Sequence, residues 1–353
     1  MTFHMHKWIK KTKYERESVS NQDNSLFIIG GIGSDDMYES TWMFCVKRIL
    51  TLPFVLVGVS ILTFVFIRFV PVEPAEVILR LSRIAPTPEA IQALREELGT
   101  DKPFIMQYLL WVKGVLQLDF GTSFVSKLPV AHELFAKLPA TIELAIVAFI
   151  LILTFSIPLG VVSALYKHSF IDKIIRLFTV LSVSIPTFWL GFILLYLFSL
   201  KLGIFPTNGK GSVAHIVLPA FTLALPTIGL FSQFIRSAII EEYEQPYVKY
   251  AQLRGLKKSV ILIRHVGRNA AIPISTLFGM TLGNLLGGAV IVEQVFSWPG
   301  LGRYLIESIT NRDYPVVQCY VLVIAVIYVL ANLGTDVLHR LLDPHLMMKD
   351  RRE

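Results

Sequence analysis

Six stretches of this chain are each long and apolar enough to cross a lipid bilayer as a helix. They cover residues 49–70, 141–166, 177–200, 216–234, 272–292 and 316–337. A spanning helix needs about 20 mostly apolar residues, and six of them leave little of the 353-residue chain for anything else. Composition agrees: 54% of residues are hydrophobic and 17% charged, against about 25% charged in a soluble domain. A chain this apolar could not cover its own surface in water, and it has too much to bury to be disordered. Pro158, Pro186, Pro219 and Pro226 fall inside the apolar runs. In a membrane bundle, neighbouring helices can satisfy the carbonyls that prolines free.

The net charge of +7 is explained by basic loops on one side of a membrane, and nucleic acid is not implied. Loop 167–176 carries Lys167, Lys173 and Arg176, and loop 236–271 carries seven Lys and Arg residues. The loops on the other side carry Lys201, Lys210, Arg303 and Arg312. Ten basic residues against four place both termini in the cytoplasm, with residues 71–137 outside as a long segment between the first two spans. Cys45 and Cys319 then lie at opposite ends of the bundle and cannot pair.

The outer segment reads as ordered. Thr87-Pro88 looks like the N-cap and first position of a helix that Gly99 ends, and Phe104, Tyr108, Trp111 and Val112 mark a second amphipathic piece. It is expected to pack as a lid over the bundle and to offer a docking surface to an external partner. Residues 1–42 are polar and form no signal peptide; with Met43 just before the first span, they are expected to be an extension or an over-called start. No phosphate-binding loop, zinc-protease motif or G-x-S-x-G occurs, so no catalytic, cofactor or metal site is expected. The spans show neither a carboxylate relay nor an arginine ladder, which leaves an ion-driven secondary transporter as the alternative class. Asn284 and Asn332 lie deep and are expected to hydrogen-bond between helices, while Glu143 and Glu293 belong near the outer interface. Gly279, Gly283 and Gly287, four apart, form a stripe for close helix packing.

Loop 236–271 is the most informative stretch. Tyr247, Tyr250, Ala251, Leu253 and Leu256 recur at helical spacing, Gly255 interrupts them, and 260–266 is a second amphipathic piece. A helix-turn-helix of this kind either lies on anionic lipid or fits a groove on a cytoplasmic partner.

The run Tyr247-Val-Lys-Tyr-Ala-Gln-Leu-Arg254-Gly255-Leu256, followed by His265-Val-Gly-Arg-Asn-Ala-Ala-Ile-Pro273, resembles the coupling loop of ATP-binding-cassette importer permeases of the dipeptide, oligopeptide and nickel branch. Matching runs include Leu138-Pro-Ala-Thr-Ile-Glu143, Leu118-Asp-Phe-Gly-Thr-Ser-Phe124, Gly287-Gly-Ala-Val-Ile-Val-Glu293, Phe296-Ser-Trp-Pro-Gly-Leu-Gly302, Arg312-Asp-Tyr-Pro-Val-Val-Gln318 and Leu342-Asp-Pro344. The Glu-Ala-Ala opening of the general permease signature is here Lys249-Tyr250-Ala251, which keeps only the last alanine.

The resemblance implies an all-α integral membrane protein with six transmembrane helices and the type I ABC importer permease fold. The first helix would occupy 43–70, the permease domain 138–341 and a cytoplasmic tail 342–353. The implied partners are a homologous second permease, two cytoplasmic ABC ATPases that bind ATP and Mg, and an extracytoplasmic substrate-binding protein. The implied location is the inner or plasma membrane of a prokaryote. Tyr247, Ala251, Arg254, Gly255 and Leu256 would meet the ATPase. Residues 80–89 and 311–319 look most like nickel permeases, so nickel or a nickel chelate is the expected cargo and a dipeptide or oligopeptide the alternative.

Overall fold

The computed structural model describes residues 41–69 and 74–342. Expectations for residues 1–40 and for the tail, including Asp343-Pro344, lie outside the described residues. Within them the fold is helical, with one isolated β-bridge between Thr122 and Pro129.

The helices are α1 (Thr41–Phe69), α2 (Pro74–Leu81), α3 (Pro88–Leu98), α4 (Phe104–Leu116), α5 (Val130–Leu165), α6 (Phe170–Ser184) and α7 (Thr187–Lys201). After these come α8 (Val213–Tyr243), α9 (Pro246–Leu253), α10 (Gly267–Val295), α11 (Leu301–Thr310) and α12 (Tyr314–Leu342). Among the described residues, α5, α8 and parts of α1 and α12 are each long and apolar enough to cross a bilayer alone. The segment 272–292 lies on the unbroken 29-residue helix α10.

One expectation is corrected. Residues 177–200 do not form a single straight span: α6 and α7 meet at 106°. Pro186 has no N–H to continue the helical ladder, and its ring drives the preceding residue out of the helical region. Ile185 is accordingly extended, at φ −81° and ψ 124°. The last part of α7, Leu195–Lys201, is wound as a π-helix.

The core is a sandwich of α5, α8 and α10. Ala148, Ala220, Ala224 and Ala289 are among its fully buried members, and their small size brings the helices close. Gly160 and Gly229 bring them closer. A Cβ on Gly160 would stand 2.7 Å from Ile235 Cβ, and one on Gly229 would collide with Ser182 Oγ. α6 lies along α8, while α1 packs on α12 and otherwise exposes Phe54 and Phe66.

The segment between α1 and α5 carries the helix start and stop that its sequence marks. Thr87 Oγ1 accepts from Ala90 N, and Gly99 ends α3 at φ 66°. α4 docks on the outer end of α1. Phe64, 3% exposed, meets the rings of Phe104, Tyr108 and Trp111, and Ser60 Oγ lies 2.8 Å from Tyr108 Oη. The other face of α4 leaves Ile105, Leu109 and Leu116 uncovered, as befits a helix lying at a membrane interface.

Candidate functional site

Three features stand out: the loop between α8 and α10, the polar joints at the outer end, and a cavity midway along the bundle.

The loop is shorter than the sequence suggested, because α8 runs on to Tyr243 and takes in Arg236. The chain turns at Glu244-Gln245 and enters α9 with Pro246 at its first position, where the missing N–H costs nothing. α9 ends at Arg254-Gly255. Gly255 has φ 78°, a left-handed conformation that is strained for residues with a side chain. The second arm, Lys258–Val260 and a π-helical turn Ile261–Val266, flows directly into α10. The expected helix-turn-helix is therefore one short helix held against the foot of a spanning helix.

α9 is tethered from within. Val248, Ala251, Ile261 and Val266 are buried in the main core, and Tyr247 Oη donates to Glu242 Oε2 at 2.7 Å. Of the five residues expected to meet an ATPase, Tyr247 and Ala251 thus face their own chain, while Arg254, Gly255 and Leu256 face outward. The outward set also includes Tyr250, Leu253 and Ile263, at 63%, 86% and 72% exposed, and the Arg254 guanidinium lies over the Tyr250 ring. α9 has apolar residues on both faces, and spacing alone could not say which one packs inward.

Behind this loop lies a buried ion pair that sequence reasoning did not identify. Asp172, in the first turn of α6, is fully buried. Its carboxylate accepts from Arg236 Nε at 2.8 Å and Nη2 at 3.0 Å, from Ser163 Oγ at 2.6 Å and from His168 N at 3.0 Å. One turn up α8, Gln233 Nε2 donates to Thr179 Oγ1 at 2.9 Å. The α5–α6 turn is also joined to the end of α8 by Lys167 and Glu244 at 2.9 Å, and the Lys167 hydrogen bond pulls the Glu244 carboxyl below its ordinary range. Ser169 as N-cap of α6 was a visible signal. A partner 64 residues away was not.

At the end of the bundle away from this loop, the matched runs join one another. Glu293 is fully buried, accepting from Thr141 Oγ1 at 2.6 Å and from Arg303 N at 3.0 Å. Leu301 N donates to Thr141 Oγ1, and Trp298 Nε1 donates to the Ala140 carbonyl at 2.9 Å. A Cβ on Gly302 would lie 2.5 Å from Val290 Cα, so only glycine fits. Asp313 accepts from Ser123 Oγ and, at 3.0 Å, from Phe124 N, tying the outer segment to α12. Glu143 pairs with Lys210.

The glycine stripe is used only in part within the chain. Gly283 abuts the Tyr328 ring of α12, with 3.1 Å to a built Cβ; Gly287 has open space; and the surroundings of Gly279 lie outside the described residues. Near Gly287, a cavity of about 230 Å³ opens between α7, α8 and α10. Asn284 is exposed, lines that cavity and, among the described residues, has no hydrogen-bond partner on a neighbouring helix. Among the described residues, no three His, Cys, Asp or Glu side chains converge as a metal site.

Residues 156–348 match the family described as Binding-protein-dependent transport system inner membrane component, and residues 41–145 match the N-terminal domain described for the same kind of component. The chain belongs to this family of transport permeases. It is 36% identical over 306 residues to the Glutathione transport system permease protein GsiC of Salmonella choleraesuis, covering 87% of this chain and 99% of that one. It is 34% identical over 331 residues to the Dipeptide transport system permease protein DppB of Alkalihalophilus pseudofirmus, covering 86% and 98%. In fold it is similar to a structure titled as an inward-facing conformation of the MetNI methionine ABC transporter, at TM-score 0.50 and 18% identity, covering 60% of this chain and 96% of that one. The fold is the type I permease fold of ABC transporters.

Proposed function

We propose that this chain is one of two homologous permease subunits of an ATP-driven importer whose cargo is a short peptide. The observation that carries the cargo is similarity across nearly the whole chain to permeases named for glutathione and dipeptide transport. Nickel, favoured by runs 80–89 and 311–319, becomes the alternative. Within those runs Arg80 pairs with Glu76 on the surface of α2, and Asp313 is committed to the Ser123 joint.

In this reading, ATP is bound and hydrolysed by two separate cytoplasmic subunits, and an external binding protein delivers the peptide. Tyr250, Leu253, Arg254, Gly255 and Leu256 form the knob that enters an ATPase groove. Closure of the ATPases pushes α9, and the Asp172–Arg236 pair passes that push from α8 to α6. Both termini face the cytoplasm, as the excess of basic residues in the α5–α6 and α8–α10 connections supports.

The test is uptake by the assembled importer. Labelled glutathione or dialanine should accumulate only with ATP and a loaded binding protein, and unlabelled peptide should compete where nickel salts do not. Competition by nickel, with none by peptide, would transfer the reading to nickel.

A further inference from the structure

We infer that the cavity between α7, α8 and α10 is a transient cargo subsite that hydrogen-bonds the backbone amides of a passing peptide. This rests on the peptide reading above. The cavity measures about 230 Å³, and its polar lining includes Asn284, Thr187 and Thr227 against apolar walls of Leu223, Leu230 and Phe231.

Depth is the first argument. Thr227 sits at the middle of α8 and Asn284 well inside α10, so the cavity lies midway through the membrane. Asn284 is exposed there and makes no hydrogen bond with the described residues. A primary amide left bare in hydrocarbon is strongly disfavoured. Asn284 therefore faces a water-filled path or a ligand, since lipid cannot satisfy it.

Chemistry is the second argument. No ionisable side chain is among the residues lining the cavity. The Asn284 amide and the Thr187 and Thr227 hydroxyls match the N–H and C=O groups of a peptide bond, which every peptide carries whatever its side chains. They match a divalent transition metal poorly, since it prefers imidazole, thiolate or carboxylate. Neutral hydrogen bonds are also weak enough to be released, as a transport path requires. Leu230 and Phe231 offer unspecific apolar contact, tolerant of varied side chains.

The experiment uses the complete importer in proteoliposomes, with labelled dialanine and saturating binding protein. The variants are Asn284→Leu, Thr227→Val and the conservative Asn284→Gln. One lost hydrogen bond should cut peptide imported per ATP about threefold to tenfold in Asn284→Leu, less in Thr227→Val and little in Asn284→Gln. ATPase stimulation by the loaded binding protein and co-purification of the second permease should be unchanged in all three. If wild type imports dialanine and Asn284→Leu imports it equally well per ATP, the subsite is refuted. If Asn284→Leu instead releases the second permease, the face is a subunit interface and the inference fails. Wild type importing nickel and no dialanine would overturn the peptide reading itself, a result distinct from either of these.

Discussion

Breaking the Asp172–Arg236 pair should uncouple ATP hydrolysis from transport, and the size of the effect follows from its burial. Asp172 is 0% exposed and Arg236 17%. Removing one partner from a buried ion pair costs about 3–5 kcal/mol, because the remaining charge stays in a poor solvent. Arg236→Gln strands the Asp172 carboxylate, but Arg176 Nε stands 3.7 Å from its Oδ1 and offsets part of the loss. The lower end, about 3 kcal/mol, is therefore expected. Asp172→Asn leaves the Arg236 guanidinium nearer to water and should cost less. The double variant Asp172→Asn/Arg236→Gln replaces two charges by two neutral amides, of which the one at position 172 keeps the reach to Ser163. It should be more stable than Arg236→Gln alone, with a coupling energy on the order of 2 kcal/mol. The assay is a double-mutant cycle on the melting of the purified permease complex, read beside ATP hydrolysed per peptide imported. The single variants should hydrolyse ATP with less import, and the double variant should recover part of both properties. Additive losses in stability, or full import per ATP in Arg236→Gln, would refute the claim that this pair carries the push from α8 to α6.

Gly255→Asp should lose uptake and ATPase co-purification while leaving the helices inserted. It forces a side chain into φ 78°, at about 1 kcal/mol, and adds a carboxylate to the knob; retention of both properties would remove the loop from the docking role. Leu253→Asp, which touches little within the chain, should weaken ATPase binding without lowering the melting temperature, whereas Ala251→Asp should lower both because Ala251 is buried. Gly302→Ala should destabilise the fold by about 1–3 kcal/mol through overpacking against Val290, seen as a lower melting temperature; unchanged melting would contradict the outer-joint geometry. In a cysteine-free background, an impermeant thiol reagent added outside should label Ser126→Cys and not Ser259→Cys, and the reverse pattern would invert the orientation.

The helices were legible because hydrophobic length writes them directly into the chain, and so were local devices such as the Thr87 cap and the Gly99 stop. The bend at Pro186 was less so. Prolines at 158, 219 and 226 sit inside continuous helices, and no local pattern separates them from Pro186, before which Ile185 is extended. The two faces of the loop were not resolved in the sequence: Ala251 and Leu253 are both apolar, and only the core behind α9 tells which is covered. The Asp172–Arg236 pair and the Glu293 joint bring together residues 64 and 152 positions apart. No periodicity encodes such a meeting. Cargo was the least legible, because no metal-ligand or peptide-binding motif in the chain names it.

The central claim is that this chain opens a path for peptide at the expense of ATP bound elsewhere. Its most direct test is peptide accumulation in proteoliposomes that contain both permeases and the ATPases. ATP enclosed with the ATPases should drive uptake of dialanine from the loaded binding protein, and uptake should vanish when the ATPases are omitted. Accumulation driven by a proton or sodium gradient without the ATPases would contradict the account and make the protein a secondary transporter.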